Sequence, residues 1–238
     1  MRNIAIIFQR EFSNYFNGPL AYIVIPVFLL IVGSFSLFFQ DIFAIGIVSM
    51  RLVFFWCAVA YLLLIPALTM RAFSEEMRTG SIELLATLPV SETEMVIGKY
   101  LAAVALSGVA LVLTCSYPAS FHQLGELDWG PVLGGYLGLF MLAAAFAAIG
   151  IAASACTSSQ VVAFLLSLIV GLLPFVTGYA LNRVPADLLP VVQYLSFEYH
   201  FEPLSKGIID TRNIIYYASV IVFFLQLAIF RLEQRRLG

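Results

Sequence analysis

Apolar residues run through this chain in long unbroken stretches, and the polar and charged ones collect in the short segments between them. The first twenty residues read differently. Ile4, Ile7, Phe8, Phe12, Tyr15 and Phe16 recur at helical spacing on one face, while Arg2, Asn3, Gln9, Arg10, Ser13 and Asn14 fall elsewhere. That is the pattern of a helix lying flat at a membrane surface. Asn17-Gly18-Pro19 ends it. Leu20 to Gln40 then holds no charge, and about twenty helical residues cross a hydrocarbon layer about 30 Å thick. The same criterion predicts spans over 52–70, 96–117, 131–153, 161–182 and 214–230, six in all. Between Asp128 and Arg183 no Asp, Glu, Lys or Arg occurs, a run long enough for two crossings with SACTSSQ (154–160) as the turn.

Local signals refine these elements. Ser91-Glu92-Thr93-Glu94 has the form of a capping box, in which Glu94 reaches back to the amide of Ser91 and starts the third span. Gly134 and Gly138 stand in GxxxG register, followed by Ala143, Ala144, Ala147, Ala148 and Gly150, which permits close helix packing. In 183–213, Pro185, Pro190 and Pro203 interrupt apolar clusters too short to cross, so short interfacial or re-entrant helices are expected there.

A mean hydropathy of +0.99 with only 11% charged residues confirms a membrane protein and excludes an ordinary soluble domain. The net charge of -2 leaves no basic surface for nucleic acid. Cys57, Cys115 and Cys156 are odd in number and widely spaced, so they read as small apolar fillers. No signal peptide is expected at the N-terminus. With six spans both termini, the 71–99 loop and the 154–160 turn share a side. Arg2, Arg10, Arg71, Arg78, Lys99, Arg231, Arg235 and Arg236 lie there, against Arg51, Arg183, Lys206 and Arg212 opposite. The Lys/Arg excess assigns that side to the cytoplasm.

Seven of the 26 charged residues fall between 74 and 99, around SEEMRTGSIELLATLP. Seven charges at the bilayer centre would cost on the order of 20 kcal/mol, so this segment stands at the surface. Ser74 is placed to cap a short helix whose first turn holds Glu75 and Glu76, Gly80 interrupts it, and Ile82, Leu85 and Leu88 form an apolar edge before Pro89. Such a helix suits docking to a partner. A solvated connector lying on its own protein fits the same spacing.

Candidate chemistry is sparse. Taking Lys99 with the surface loop, the six spans contain no carboxylate, His or Lys, only neutral groups such as Ser34, Ser36, Thr69, Ser107, Thr114, Ser116, Ser167, Thr177 and Gln226. That argues against coupling to an ion gradient. No GxxxxGK[ST], GxSxG or HExxH occurs, so neither ATPase nor hydrolase chemistry is encoded. Glu198-x-His200-x-Glu202, or His122 with Glu126 and Asp128, could gather a metal only on extended backbone, since residues two apart diverge on a helix. Interfacial polar residues are the plainer reading, and no metal or cofactor is expected on this chain.

FNGPLAYI entering the first span, PALTMRAFSEEMRTGSIELLATLPVSETEMVIGKYLAA after the second, and YLSFEYHF with KGIIDTRNIIYYAS before the sixth together resemble ABC-2 type permease subunits. Within that group the chain is most similar to the gliding-motility-associated branch, related to the permease of nitrous-oxide-reductase maturation. The resemblance implies an all-α half-transporter of six spans with a surface helix at residues 1–17, in the bacterial inner membrane. It also implies a second permease half, a cytoplasmic ATP-binding protein dimer that carries the ATP and Mg, and, as for some members of the family, a periplasmic accessory protein. Matched by position, Glu75, Glu76, Arg78, Gly80, Glu83, Leu84 and Leu85 would form the coupling helix that contacts the ATPase, with SACTSSQ as a smaller second contact and 183–213 as external helices. A gradient-driven carrier or channel, and a membrane scaffold that transports nothing, are the alternatives.

Overall fold

In a computed structural model, residues 2–39, 50–81, 90–122, 127–180 and 189–237 are described, and among them every regular element is an α-helix. They are α1 (Arg2–Asn17), α2 (Leu20–Phe39), α3 (Arg51–Thr69), α4 (Ser74–Thr79), α5 (Glu92–Leu113), α6 (Ser116–His122), α7 (Trp129–Cys156), α8 (Gln160–Ala180), α9 (Leu189–Leu195), α10 (Phe197–Ser205) and α11 (Thr211–Leu237). Five of these, α3, α5, α7, α8 and α11, are long and apolar enough to cross a membrane, and the bent pair α1–α2 brings the number to six. In lipid the backbone must satisfy its own hydrogen bonds, which is why so apolar a chain folds as helices.

The α1–α2 bend is 73° and falls at Gly18-Pro19, where Pro19 has no amide to continue the first helix. The apolar stripe of α1 is the face turned inward: Ile7, Phe12, Tyr15 and Phe16 pack on the core, while Gln9, Arg10, Ser13 and Asn14 are exposed.

Helix α7 is the axis of the bundle. It is buried along most of its length and lies against α3, α5, α8, α10 and α11. Its run of Gly and Ala lets neighbours approach closely. The GxxxG register meets a short helix rather than another span: a Cβ on Gly138 would press on the Phe201 ring at 3.0 Å, and one on Gly134 would overlap the backbone carbonyl of Leu204. Helix α8, by contrast, exposes Val161, Leu165, Ile169, Leu172 and Leu173, an apolar face suited to lipid or a second subunit.

Several boundaries differ from the sequence expectation, among them those of α11, which starts at Thr211 and runs on to Leu237. The third long helix starts at Glu92 and stops at Leu113, because Ser91 caps it early and Thr114-Cys115 form a turn into α6. Pro118 cannot donate to the Thr114 carbonyl, which accepts instead from the Tyr117 amide and the Tyr136 hydroxyl, each at 2.9 Å. The expected turn at 154–160 shortens to Thr157–Ser159, since α7 continues through Ser154 to Cys156.

Candidate functional site

The charged segment and its neighbours meet at one end of the bundle. Helix α4 has six residues, SEEMRT, and its first amides are satisfied from outside the segment. A helix start leaves several amides without intrahelical acceptors. Ser74 does not cap them: it is fully buried and its hydroxyl bonds back to the Met70 carbonyl. The cap comes from across the bundle. Ser154 Oγ, on α7, accepts from the Phe73 amide at 2.9 Å and the Ser74 amide at 3.1 Å, and donates to the Met70 carbonyl at 3.1 Å. Ser154 is thus the residue that holds the start of α4, and spacing did not single it out, because its partners lie some eighty positions away in the chain. At the other end of α4, Gly80 takes φ 71°, a left-handed conformation that glycine adopts freely, and its amide closes on Met77 O at 3.4 Å.

Around α4 stands a set of four charges. Lys99 is 4% exposed on α5, so it belongs inside the fold and not with the surface loop. Its Nζ lies 2.6 Å from Glu76 Oε1 and donates to the Ala72 carbonyl at 2.6 Å. Glu11 Oε1 of α1 is 3.4 Å away and the Phe73 ring centroid 4.9 Å. Arg10 completes the set, 3.0 Å from Glu11 and 4.0 Å from Glu76. The bundle therefore does carry an ionisable residue within its third long helix, at the end where its partners lie. A buried ammonium is tolerated only with such partners.

The predicted contact residues separate into two groups. Glu76 turns inward to Lys99, while Arg78 and Gly80 are exposed and Glu75 is half-buried. Glu83, Leu84 and Leu85, with Ile82, Leu88 and Pro89, lie outside the described residues.

Next to α4, the capping box at the start of α5 forms in full: Glu94 N donates to Ser91 Oγ at 3.2 Å and Ser91 N to Glu94 Oε2 at 3.2 Å. Asn3 Nδ2 of α1 donates to the same carboxylate oxygen at 3.1 Å. Those bonds, the Asn3 amide first, hold the Glu94 pKa below the ordinary carboxylate range.

At the opposite end, His200 is buried in α10 with Nδ1 2.9 Å from Asn213 Oδ1, Nε2 3.1 Å from the Tyr194 carbonyl, and its ring stacked 3.9 Å from Tyr216. Both nitrogens are engaged by protein groups, which leaves the imidazole no lone pair aimed at a metal. Glu202 pairs instead with Lys206 at 2.8 Å and Arg51 at 3.6 Å, and the Lys206 bond lowers its pKa. Helical geometry has thus sent His200 and Glu202 to different partners, and among the described residues no group of three His, Cys, Asp or Glu could hold an ion.

A family model described as "ABC-2 family transporter protein" matches residues 21–231, nearly the whole bundle from α2 into α11. No curated protein matches the chain.

Proposed function

The chain belongs to the ABC-2 transporter family, and from that premise we propose that it is the permease half of an ATP-driven transporter whose α4 receives the stroke of a separate cytoplasmic ATPase. Permeases of this kind cross the membrane several times and are not themselves catalytic; ATP and Mg would sit in the partner. The observation that carries the reading is the setting of α4. It is a short helix with Arg78 and Thr79 exposed, held at the end of the bundle by Ser154 and Lys99. A solvated connector has no need of such fixtures, whereas an element that takes a push must not yield under it.

In this proposal the Lys/Arg excess puts α4 and both termini in the cytoplasm of a bacterial inner membrane. Two permease halves face each other, and an apolar surface such as that of α8 is available for lipid or the second half. The cargo is apolar or amphipathic, moved outward, or force is passed to a periplasmic protein. Membership of the gliding-motility-associated branch rests on YLSFEYHF and KGIIDTRNIIYYAS.

Co-purification from native membranes, with and without an ATP analogue, tests this. A nucleotide-binding protein should accompany the chain and be lost when Glu83 and Leu84 are both changed, or when Glu75→Lys is combined with Arg78→Glu. A carrier driven by a gradient, or a scaffold, would purify without any nucleotide hydrolase, and that result would end the proposal.

A further inference from the structure

Asn3, Ile7 and Glu11 of α1 are spaced by four and so form one stripe of that helix. Each meets the head of α5. Asn3 bonds to Glu94 at 3.1 Å, Ile7 lies against Gly98 where a Cβ would come within 2.7 Å, and Glu11 is 3.4 Å from Lys99. A surface helix resting on lipid alone would need none of these. Lys99 then joins this seam to a third element, since the same Nζ holds Glu76 of α4 and the Ala72 carbonyl just before it.

We propose that Lys99 is a positioning residue, a buried clasp that fastens α4 to α1 and the head of α5 so that the three move as one body. The inference rests on the reading of α4 as the element that takes the stroke. Glu76, which the family pattern counts among the contacts to the ATPase, acts inward through this clasp, and the exposed Arg78 is left to face outward. Drawing α4 away would strip Lys99 of its two nearest partners and leave only Glu11, at 3.4 Å, to offset a buried charge, which low-polarity surroundings penalise heavily. The displacement therefore passes to α1 and, through the 73° bend at Gly18-Pro19, to the first membrane-crossing helix α2.

The test places spin labels at Gln9→Cys on α1 and Thr79→Cys on α4, both exposed, after Cys115 and Cys156, also exposed, are replaced by Ala. The labelled chain, diluted with unlabelled chain in lipid nanodiscs, should give a single narrow distance distribution. Lys99→Arg should keep it, while Lys99→Met and Glu76→Gln should each lose the narrow peak. An unchanged peak in either of those two overturns the clasp, and Glu76→Gln decides alone if Lys99→Met fails to fold. In the assembled complex, an ATP analogue should shift the distance from Gln9→Cys to Gln234→Cys on α11 in the parent and in Lys99→Arg but not in Lys99→Met; a shift that survives in Lys99→Met also overturns it. Should the parent chain bind no ATPase, the docking reading fails, and the label widths in the chain alone still judge the clasp.

Discussion

At Ser91 the chain settles two unsatisfied amides with one residue pair, and Asn3 uses that pair to hold α1. Ser91→Ala should lower the stability of the detergent-solubilised chain by about 1 kcal/mol, the usual worth of a Ser cap, read from the unfolding midpoint. The pH dependence has a definite sign. Because the Glu94 pKa is depressed in the fold, its contribution is full above the ordinary carboxylate value and fades as the pH falls through the lower, folded value. An unfolding series from neutral pH into the acid range should therefore show an acid loss in the parent that Glu94→Gln lacks. A Glu94→Gln curve parallel to the parent's would refute that role. The capping box was readable from Ser91 and Glu94 alone because its partners are three residues apart; Asn3 was not, being 91 positions away.

Among the elements, α7 and α10 show the cost of close approach most clearly. Gly134 faces a backbone carbonyl that cannot turn aside, whereas Gly138 faces the Phe201 ring, which can. Gly134→Ala should then destabilise by about 1–3 kcal/mol and loosen α10 from the bundle, with Gly138→Ala costing distinctly less. Equal effects in a denaturation series would contradict this packing. The small-residue register was visible in the sequence, but its partner was not. GxxxG names a helix that can be approached and says nothing of what approaches it. Similarly, Pro203 marked a helix too short to cross, while the hydrogen bonds of His200 to Asn213 and Tyr194 required α10 to be seen beside α11.

The whole molecule has two unlike ends. One gathers α1, α4, the capping box and Ser154; the other gathers α9, α10, Arg51 and Lys206. If the first end is cytoplasmic, Thr79→Cys in a cysteine-free chain should react with an impermeant maleimide only after spheroplasts are opened. Lys206→Cys should react in intact ones. The reverse pattern would invert the orientation inferred from the Lys/Arg excess.

Composition and periodicity alone determined that this protein is a helical bundle of the membrane, because apolar length, proline breaks and a capping box act within a few residues of themselves. The amphipathic face of α1 followed from the same local rule. Tertiary structure decided the rest. That Ser154 and not Ser74 caps α4, that Lys99 is drawn inside, and that Glu76 faces inward depend on helices packing side by side. A buried amide or ammonium takes whichever partner the packing brings within about 3 Å, however far off in the chain, and no local spacing records that choice.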